Sequence, residues 1–325
     1  MKLTNEHGIS LPIAVWLAYD DYDYINEPNY ISATTLLAPL KQYVLAKRIP
    51  YDERVHDVYD FMASSLGTSI HAGIEKAWKE AGPQIMAKLG YPKHICDKIV
   101  VNPDEEWLKL NPGYLPVWVE QRAFREIKGW KVGGKHDMII DGRLFDNKST
   151  SVWTYILGSN EQQYTEQGSV LRWLNPEKVV DDHVYINYIF TDWQKAMTKR
   201  EGYPQTRTFE KPYPLMPIDK TENWIINKLE QIEKYRNAKE EDMPRCSDED
   251  LWRSAPQYKY YADPTKLGRS TKNFDNLAEA NKMKAEKGKG IVITKPGEVK
   301  RCQYCAAAPI CQQRLEYITE EENDV

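Results

Sequence analysis

Apolar and polar positions alternate along Lys135–Lys148, KHDMIIDGRLFDNK, around a central Asp141-Gly142 pair. Asp-Gly between β-prone flanks signals a two-residue, type I′ hairpin turn. That register sets Ile140 opposite Arg143, Ile139 opposite Leu144, Met138 opposite Phe145 and Asp137 opposite Asp146. Val117–Phe124 is a strand candidate leading into the hairpin, and His183–Trp193 is a further β-prone run. Helical spacing appears from Tyr59 on, where Met62, Leu66, Ile70, Ile74 and Ala77 form one apolar stripe. Ser149–Leu174 turns helical after the hairpin. Asp219–Glu241 is an amphipathic helix with Ile225, Leu229 and Ile232 on one face, and Asn273–Glu286 is another helix before Gly288. Ser32 caps a helix interrupted near Pro39. Residues 1–30 show little periodicity, residues 83–115 are broken by Pro and Gly and read as irregular, and Pro204–Pro217 reads as an extended connector. Strands and helices together make the chain α/β.

With 325 residues the chain can bury one large core or two ordinary ones. Lys and Arg number 44 against 48 Asp and Glu, a net charge of −4. A globally basic nucleic-acid binder is not indicated, although a local basic groove can hide in a balanced total. Most of the 21 Tyr and 10 Trp belong to cores, while some could stack on bases. No apolar run reaches the ~18 residues of a membrane span. Leu11–Ala18 is too short, and wrongly flanked, for a secretory signal. No phosphate-binding GxxxxGK[ST] loop is present, which argues against an ATP motor. The last ten residues are acidic and are expected to be disordered.

The hairpin register brings Asp137 and Asp146 side by side, with Lys148 two residues further on the same face. Like charges directly opposite destabilise a sheet. A divalent cation shared by both carboxylates would offset that, since hard cations prefer oxygen ligands; the plain alternative is a solvated hairpin. Glu120 is either a further carboxylate at such a site or an ordinary strand residue. His71 and Glu75 share a helix face, where a lone histidine is usually structural. Five cysteines occur: Cys96, Cys246, Cys302, Cys305 and Cys311. The run CQYCAAAPIC places Cys302, Cys305 and Cys311 on one short loop, a spacing that can wrap one metal centre. Thiolates suit zinc or an iron–sulfur cluster. Cys246 is the preferred fourth ligand, and Cys96 reads as a buried free thiol.

The order Gly67-x-x-x-His71, Gly134-x-x-Asp137 and Asp146-x-Lys148 resembles the PD-(D/E)xK nucleases of the RecB type. The C-x2-C-x5-C ending resembles their iron–sulfur subset, the AddB-like and CRISPR-adaptation nucleases, and the likeness extends to phage-encoded exonucleases over roughly residues 30–315. The resemblance implies a restriction-endonuclease-like core, a mixed central sheet flanked by helices, with a C-terminal cysteine-bound metal clasp. It divides the chain into an N-terminal segment (1–58), nuclease core (59–200), connector and helix (201–245), clasp segment (246–315) and acidic tail (316–325). It implies Mg²⁺ or Mn²⁺ on His71, Asp137, Asp146 and the Asn147 carbonyl, with Lys148 orienting or activating water and Glu120 as an accessory acid. Gln163 matches the glutamine of a Gln-x-x-x-Tyr motif, with Gln167 in place of the tyrosine. In the cysteine-bearing relatives the fourth cysteine precedes the nuclease motifs, so zinc stays open beside an iron–sulfur cluster. The implied activity is metal-dependent exonucleolytic hydrolysis of DNA in phage recombination, replication or DNA processing, in the (host) cytoplasm. DNA is the expected partner, with a single-strand annealing protein or a helicase beside it. The rivals are a non-catalytic module binding DNA ends or a recombination partner, and a zinc hydrolase built on His71 and Glu75.

Overall fold

The computed structural model describes residues 2–20 and 22–322, and over 318–322 the main chain alone. Twelve strands occur among these residues: β1 (Lys2–Thr4), β2 (Tyr30–Ser32), β3 (Val55–Asp57), β4 (Ile99–Val101), β5 (Leu115–Ile127), β6 (Trp130–Ile140), β7 (Arg143–Thr150), β8 (His183–Phe190), β9 (Thr208–Pro214), β10 (Gln257–Tyr261), β11 (Lys272–Phe274) and β12 (Ile291–Lys295). The chain divides into two compact units. One takes the residues up to Ala38 together with Val55–Lys234, the other Pro39–Arg54 together with the chain from Tyr235 on.

The first unit is mixed α/β. Its sheet runs β4-β5-β6-β7-β8-β9, with β2 added to β6. The Asp141-Gly142 turn forms as expected, both residues having positive φ (50° and 75°). The hairpin register is also as expected for three pairs, Ile140–Arg143, Ile139–Leu144 and Met138–Phe145. There the ladder stops. β7 leaves β6 and runs parallel to β8 from Leu144 to Thr150. The vacated edge of β6 is taken up again by β2, which pairs with Lys131–Gly133. Between the two, Gly134–Asp137 has no strand neighbour on that side among the described residues, so the sheet is forked.

Helices cover the sheet on both faces. On one, Ile74 and Trp78 of the Met62–Lys88 helix pack on Val117, Val119 and Met138. On the other, the Glu161–Leu174 helix buries Val170, Leu171, Trp173 and Leu174. Two glycines set its distance. A Cβ on Gly134 would lie 2.8 Å from Leu171 and Leu174, and one on Gly168 would lie 2.8 Å from Val184. Ile225, Leu229 and Ile232 are buried on the Ile218–Tyr235 helix, the face its sequence marks. In the second unit, Tyr260, Phe274 and Ala280 form a small core between the sheet β11-β10-β12 and the Leu277–Lys287 helix. A second cluster joins Val44, Leu45, Met243 and Ala307. No helix among the described residues is long and apolar enough to cross a membrane.

Several expectations are corrected. Residues 83–115 are not irregular: the long helix continues through Pro83 to Lys88, and Lys93–Cys96, β4 and Glu105–Leu110 follow. Ser149 and Thr150 belong to β7, and the helix expected there is two, Val152–Leu157 and Glu161–Leu174, separated at Gly158 with φ 62°. The proline-rich 204–217 segment contains the edge strand β9; Pro212 and Pro214 sit opposite Tyr185 and His183, an edge being where a missing N–H is tolerated. Residues 1–30 include a helix, Leu11–Ala18. The acidic tail is helical to Glu322, while the rest of that expectation, Asn323–Val325, lies outside the described residues.

Candidate metal centre at the sheet fork

The fork coincides with a break in side-chain alternation. Val119 and Met138 pack on Ile74 and Trp78, yet their neighbours Glu120 and Asp137 reach His71 of the same helix, at 3.5 and 3.4 Å from Nδ1. In a regular strand successive side chains point to opposite faces. Glu120 has φ +50°, a left-handed conformation inside a strand. It costs a residue with a side chain about 1–2 kcal/mol. The strand pairing skips it, passing from Val119–Met138 to Gln121–His136. Asn102, also at positive φ (48°), props the distortion: its side-chain amide accepts the Val119 N–H at 2.7 Å and donates to the Val119 carbonyl at 2.9 Å.

The helix is seated by its own spacing. Gly67 faces Ser149, whose Oγ would lie 3.3 Å from a Cβ. One turn later, His71 Nε2 donates to the Asn147 carbonyl at 2.9 Å. Asp137 Oδ2 accepts the Asn147 N–H at 2.7 Å, taking over where the β6–β7 ladder ends. His71, Glu120 and Asp137 thus have ligand atoms within 4.8 Å of one another. Lys135 Nζ lies 2.8 Å from the other Glu120 oxygen.

The expected single face for Asp137, Asp146 and Lys148 is corrected. Asp137 turns to the Met62–Lys88 helix. Lys148 turns to the Glu161–Leu174 helix, with Nζ 3.3 Å from Gln167 Oε1 and 6.0 Å from the Tyr164 ring centroid. Asp146 lies with Lys148, Oδ2 to Nζ 2.6 Å. Gln163, the glutamine singled out in the sequence, is exposed; Gln167, one turn later, makes the contact. The Asn147 carbonyl, expected to face a metal, is occupied by His71. Glu120, left open in the sequence, is among the grouped ligands, whereas Asp146 stands beside that group.

The charges in the site act on one another. Hydrogen bonds to Asp137 and then Glu120 raise the His71 imidazole to about 10. Burial pushes Asp137 up, but the bond and charge of His71 outweigh it and hold the carboxyl below its usual range. Burial lifts Asp146 to about 6 against the pull of Lys148. Lys148 is favoured as a cation: burial opposes its charge, and Asp146 followed by Asp137 overcomes that. At neutral pH His71 therefore holds the place of a positive charge between two carboxylates. Asp146 Oδ2 is buried without an aligned hydrogen bond despite its ion pair. His71, Glu120 and Asp137, with the buried Asp146 carboxylate and its lysine beside them, form an oxygen-rich donor set of the kind that fits a hard divalent cation.

In the second unit Cys246, Cys302, Cys305 and Cys311 line one cavity of about 30 Å³. Gln313 holds Cys246 by two hydrogen bonds of 3.0 Å, one to its N–H and one to its carbonyl. Glu240 caps the Gln312–Glu322 helix at the N–H groups of Gln312 and Gln313 and accepts from Cys311 Sγ at 3.6 Å. Lys41 Nζ lies 3.5 Å from Glu240. Burial first, then Asp250 and the neighbouring thiols, pushes Cys246 up to about 12. Cys96 is buried in the first unit and donates to the Tyr91 carbonyl.

Glycine tolerates the conformation Glu120 adopts. Glu120→Gly is therefore expected to raise the urea midpoint of the metal-free protein while lowering its Mn²⁺ affinity by about tenfold or more. Equilibrium unfolding and a Mn²⁺ titration followed by EPR read the two effects. Unchanged affinity would remove Glu120 from the centre; a lowered midpoint would show that its ion pairs with His71 and Lys135 outweigh the backbone strain.

No protein-family model matches the chain, and no curated protein matches it. It is similar to a solved structure described as "Crystal structure of SSO0001", at 19% identity and a TM-score of 0.38, over 66% of this chain and 80% of that one.

Proposed function

We propose that the protein is a metal-dependent deoxyribonuclease of the PD-(D/E)xK type that hydrolyses phosphodiester bonds at the sheet fork, acting from DNA ends in recombination, replication or DNA processing. The observation that carries this reading is the meeting, at the parting of β6 and β7, of the His71–Glu120–Asp137 group with the ion pair of buried Asp146 and half-buried Lys148. His71, Glu120, Asp137 and Asp146 would hold Mg²⁺ or Mn²⁺. When bound, the cation would polarise a phosphoryl oxygen and make a water acidic.

The chain's own residues supply the rest. Asp146 and Asp137 keep Lys148 protonated, so it suits orienting water and offsetting charge on the phosphoryl group. It is poorly suited to accepting a proton. Gln167 and Asp146 hold its ammonium from two sides. His71 must lose its extra proton before its ring nitrogen can serve as a ligand, so metal binding would release a proton at neutral pH. The preference for ends rests on the resemblance. Cleavage of end-labelled linear and closed circular DNA, with Mg²⁺, Mn²⁺ or EDTA and beside Asp146→Ala, tests this reading. Degradation of linear DNA alone is expected, abolished by EDTA and reduced at least ~10³-fold in the variant, the scale of losing a principal electrostatic group. Cutting of circles would make it an endonuclease. Metal-independent or variant-insensitive cleavage, or none, would overturn the reading.

We further propose that the four cysteines hold an iron–sulfur cluster in preference to zinc. The four cysteines line one cavity, and the preference for a cluster over zinc rests on the resemblance of the C-x2-C-x5-C ending to iron–sulfur nucleases. Binding would displace the protons that burial keeps on the thiols of Cys246, Cys302 and Cys311 and fasten the second unit. Cys305→Ser is expected to lose iron and visible absorption and to melt earlier in that unit. An iron-free, zinc-loaded wild type would favour the other metal; unchanged metal content in the variant would exclude Cys305 as a ligand.

A further inference from the structure

Beyond the alternation break, β6 places Asp137, Lys135, Gly133 and Lys131 on one face. β5 sets Arg122, Phe124 and Glu126 beside Lys135, Gly133 and Lys131. The row leads from the candidate centre down the sheet, away from the Glu161–Leu174 helix that covers Gly134 on the other face. Its cations stand at two steps, Arg122 beside Lys135 and then Lys131 four residues on, about 13 Å apart, on the scale of two phosphate repeats in an extended strand. Its middle is smooth and aromatic: Gly133 lies against Tyr30 and Phe124, and these rings meet edge to face at 6.4 Å.

The row is already occupied. Asp23 pairs with Arg122 Nη2 at 2.5 Å. Glu27 pairs with Lys131 Nζ through both oxygens at 3.0 Å. The Tyr22 ring lies over both Arg122 and Lys135, at 5.3 and 5.5 Å from its centroid. Carboxylates on cations and a ring between them are the contacts a nucleic-acid strand would make. The fit is incomplete. Arg122 has only 12% of its side chain exposed, whereas Asp23 has 75%, and Arg122 Nε is buried with no partner. A nearly buried guanidinium is thus met by the Tyr30 hydroxyl, at 3.5 Å from Nη1, and by one oxygen of a solvated carboxylate, where a phosphate could engage its fork with two. Exposed ion pairs hold such a cover weakly.

We propose that Tyr22–Glu27 is a built-in occupant of a single-strand track, displaced when DNA enters. Phosphates then take Arg122, Lys131 and Lys135, and a base takes the place of the Tyr22 ring. What happens at the end of the track rests on the nuclease reading, but occupancy of the track does not. The carboxylates of Asp23 and Glu27 compete with the substrate, so the chain discriminates against weakly bound anions and opens for a polyanion that engages several cations at once.

Binding of a 5′-labelled single-stranded oligonucleotide, followed by fluorescence anisotropy in EDTA, separates the two. Asp23→Asn with Glu27→Gln is expected to tighten binding about three- to tenfold. Arg122→Lys with Lys131→Gln is expected to weaken it, and Lys131→Gln alone to reduce the salt slope by about one. Melting curves verify that each variant folds. Unchanged or weaker binding by the carboxylate variant would overturn the proposal, as would equal gains for a duplex of the same sequence, which would indicate general charge relief. Cleavage by the wild type with Mn²⁺ is scored apart. The expected binding pattern without cleavage would keep the track and remove the hydrolytic reading; cleavage without the pattern would do the reverse.

Discussion

Everything at the candidate centre depends on one edge of β6 having two partners and a gap between them. Were β7 to stay paired beyond Met138, Asp137 and Asp146 would face each other in a closed ladder, and their repulsion would work against the sheet. Instead β7 departs, Asp137 accepts the freed Asn147 N–H, and the two carboxylates reach the opening from opposite faces. Glu120 completes the change. Its left-handed backbone reverses the alternation, so an acid that regular pairing would turn from the long helix faces His71. Strain held at a cluster of titratable groups is a recurrent mark of functional sites.

The metal-free electrostatics follow. Three carboxylates in a partly dry opening need positive charge, and the chain supplies it with protonated His71 and with Lys148. Both are consequences of the same acids. Asp137 and Glu120 account for the raised imidazole, and Asp146 for the charged lysine. A divalent cation would substitute for the proton on His71 and share Asp146 with Lys148, whose ammonium also holds Gln167 of the other helix.

How much of this is legible in the sequence differs from feature to feature. The Asp-Gly turn and three hairpin pairs are local, set by two residues with positive φ and by flanking β-formers. The same holds for the buried stripe Ile225, Leu229 and Ile232. The fork is not local: it arises because β8 and β2 compete for strand edges, and no spacing within the hairpin records that. The alternation break is hidden for the same reason, since Glu is an unusual residue for a left-handed position and Asn102 props it from another strand. Gln167 rather than Gln163 touches Lys148 because the helix begins only at Glu161, after a break at Gly158, which shifts which turn faces the strand. The cysteines were legible by spacing, and Cys246 joins the other three around one cavity. Their setting by Lys41, Glu240 and Gln313 was not, because it draws on segments about 200 residues apart.

The central claim is that the fork binds a divalent cation. A crystal soaked in Mn²⁺, with diffraction collected at the manganese absorption edge, addresses it most directly. One strong anomalous peak is predicted within bonding distance of Asp137 and Asp146, with His71 Nδ1 on the ion and its Nε2 still donating to the Asn147 carbonyl. Manganese bound only elsewhere, for instance at the surface group Asp181, Asp182 and His183, with none at the fork, would contradict it.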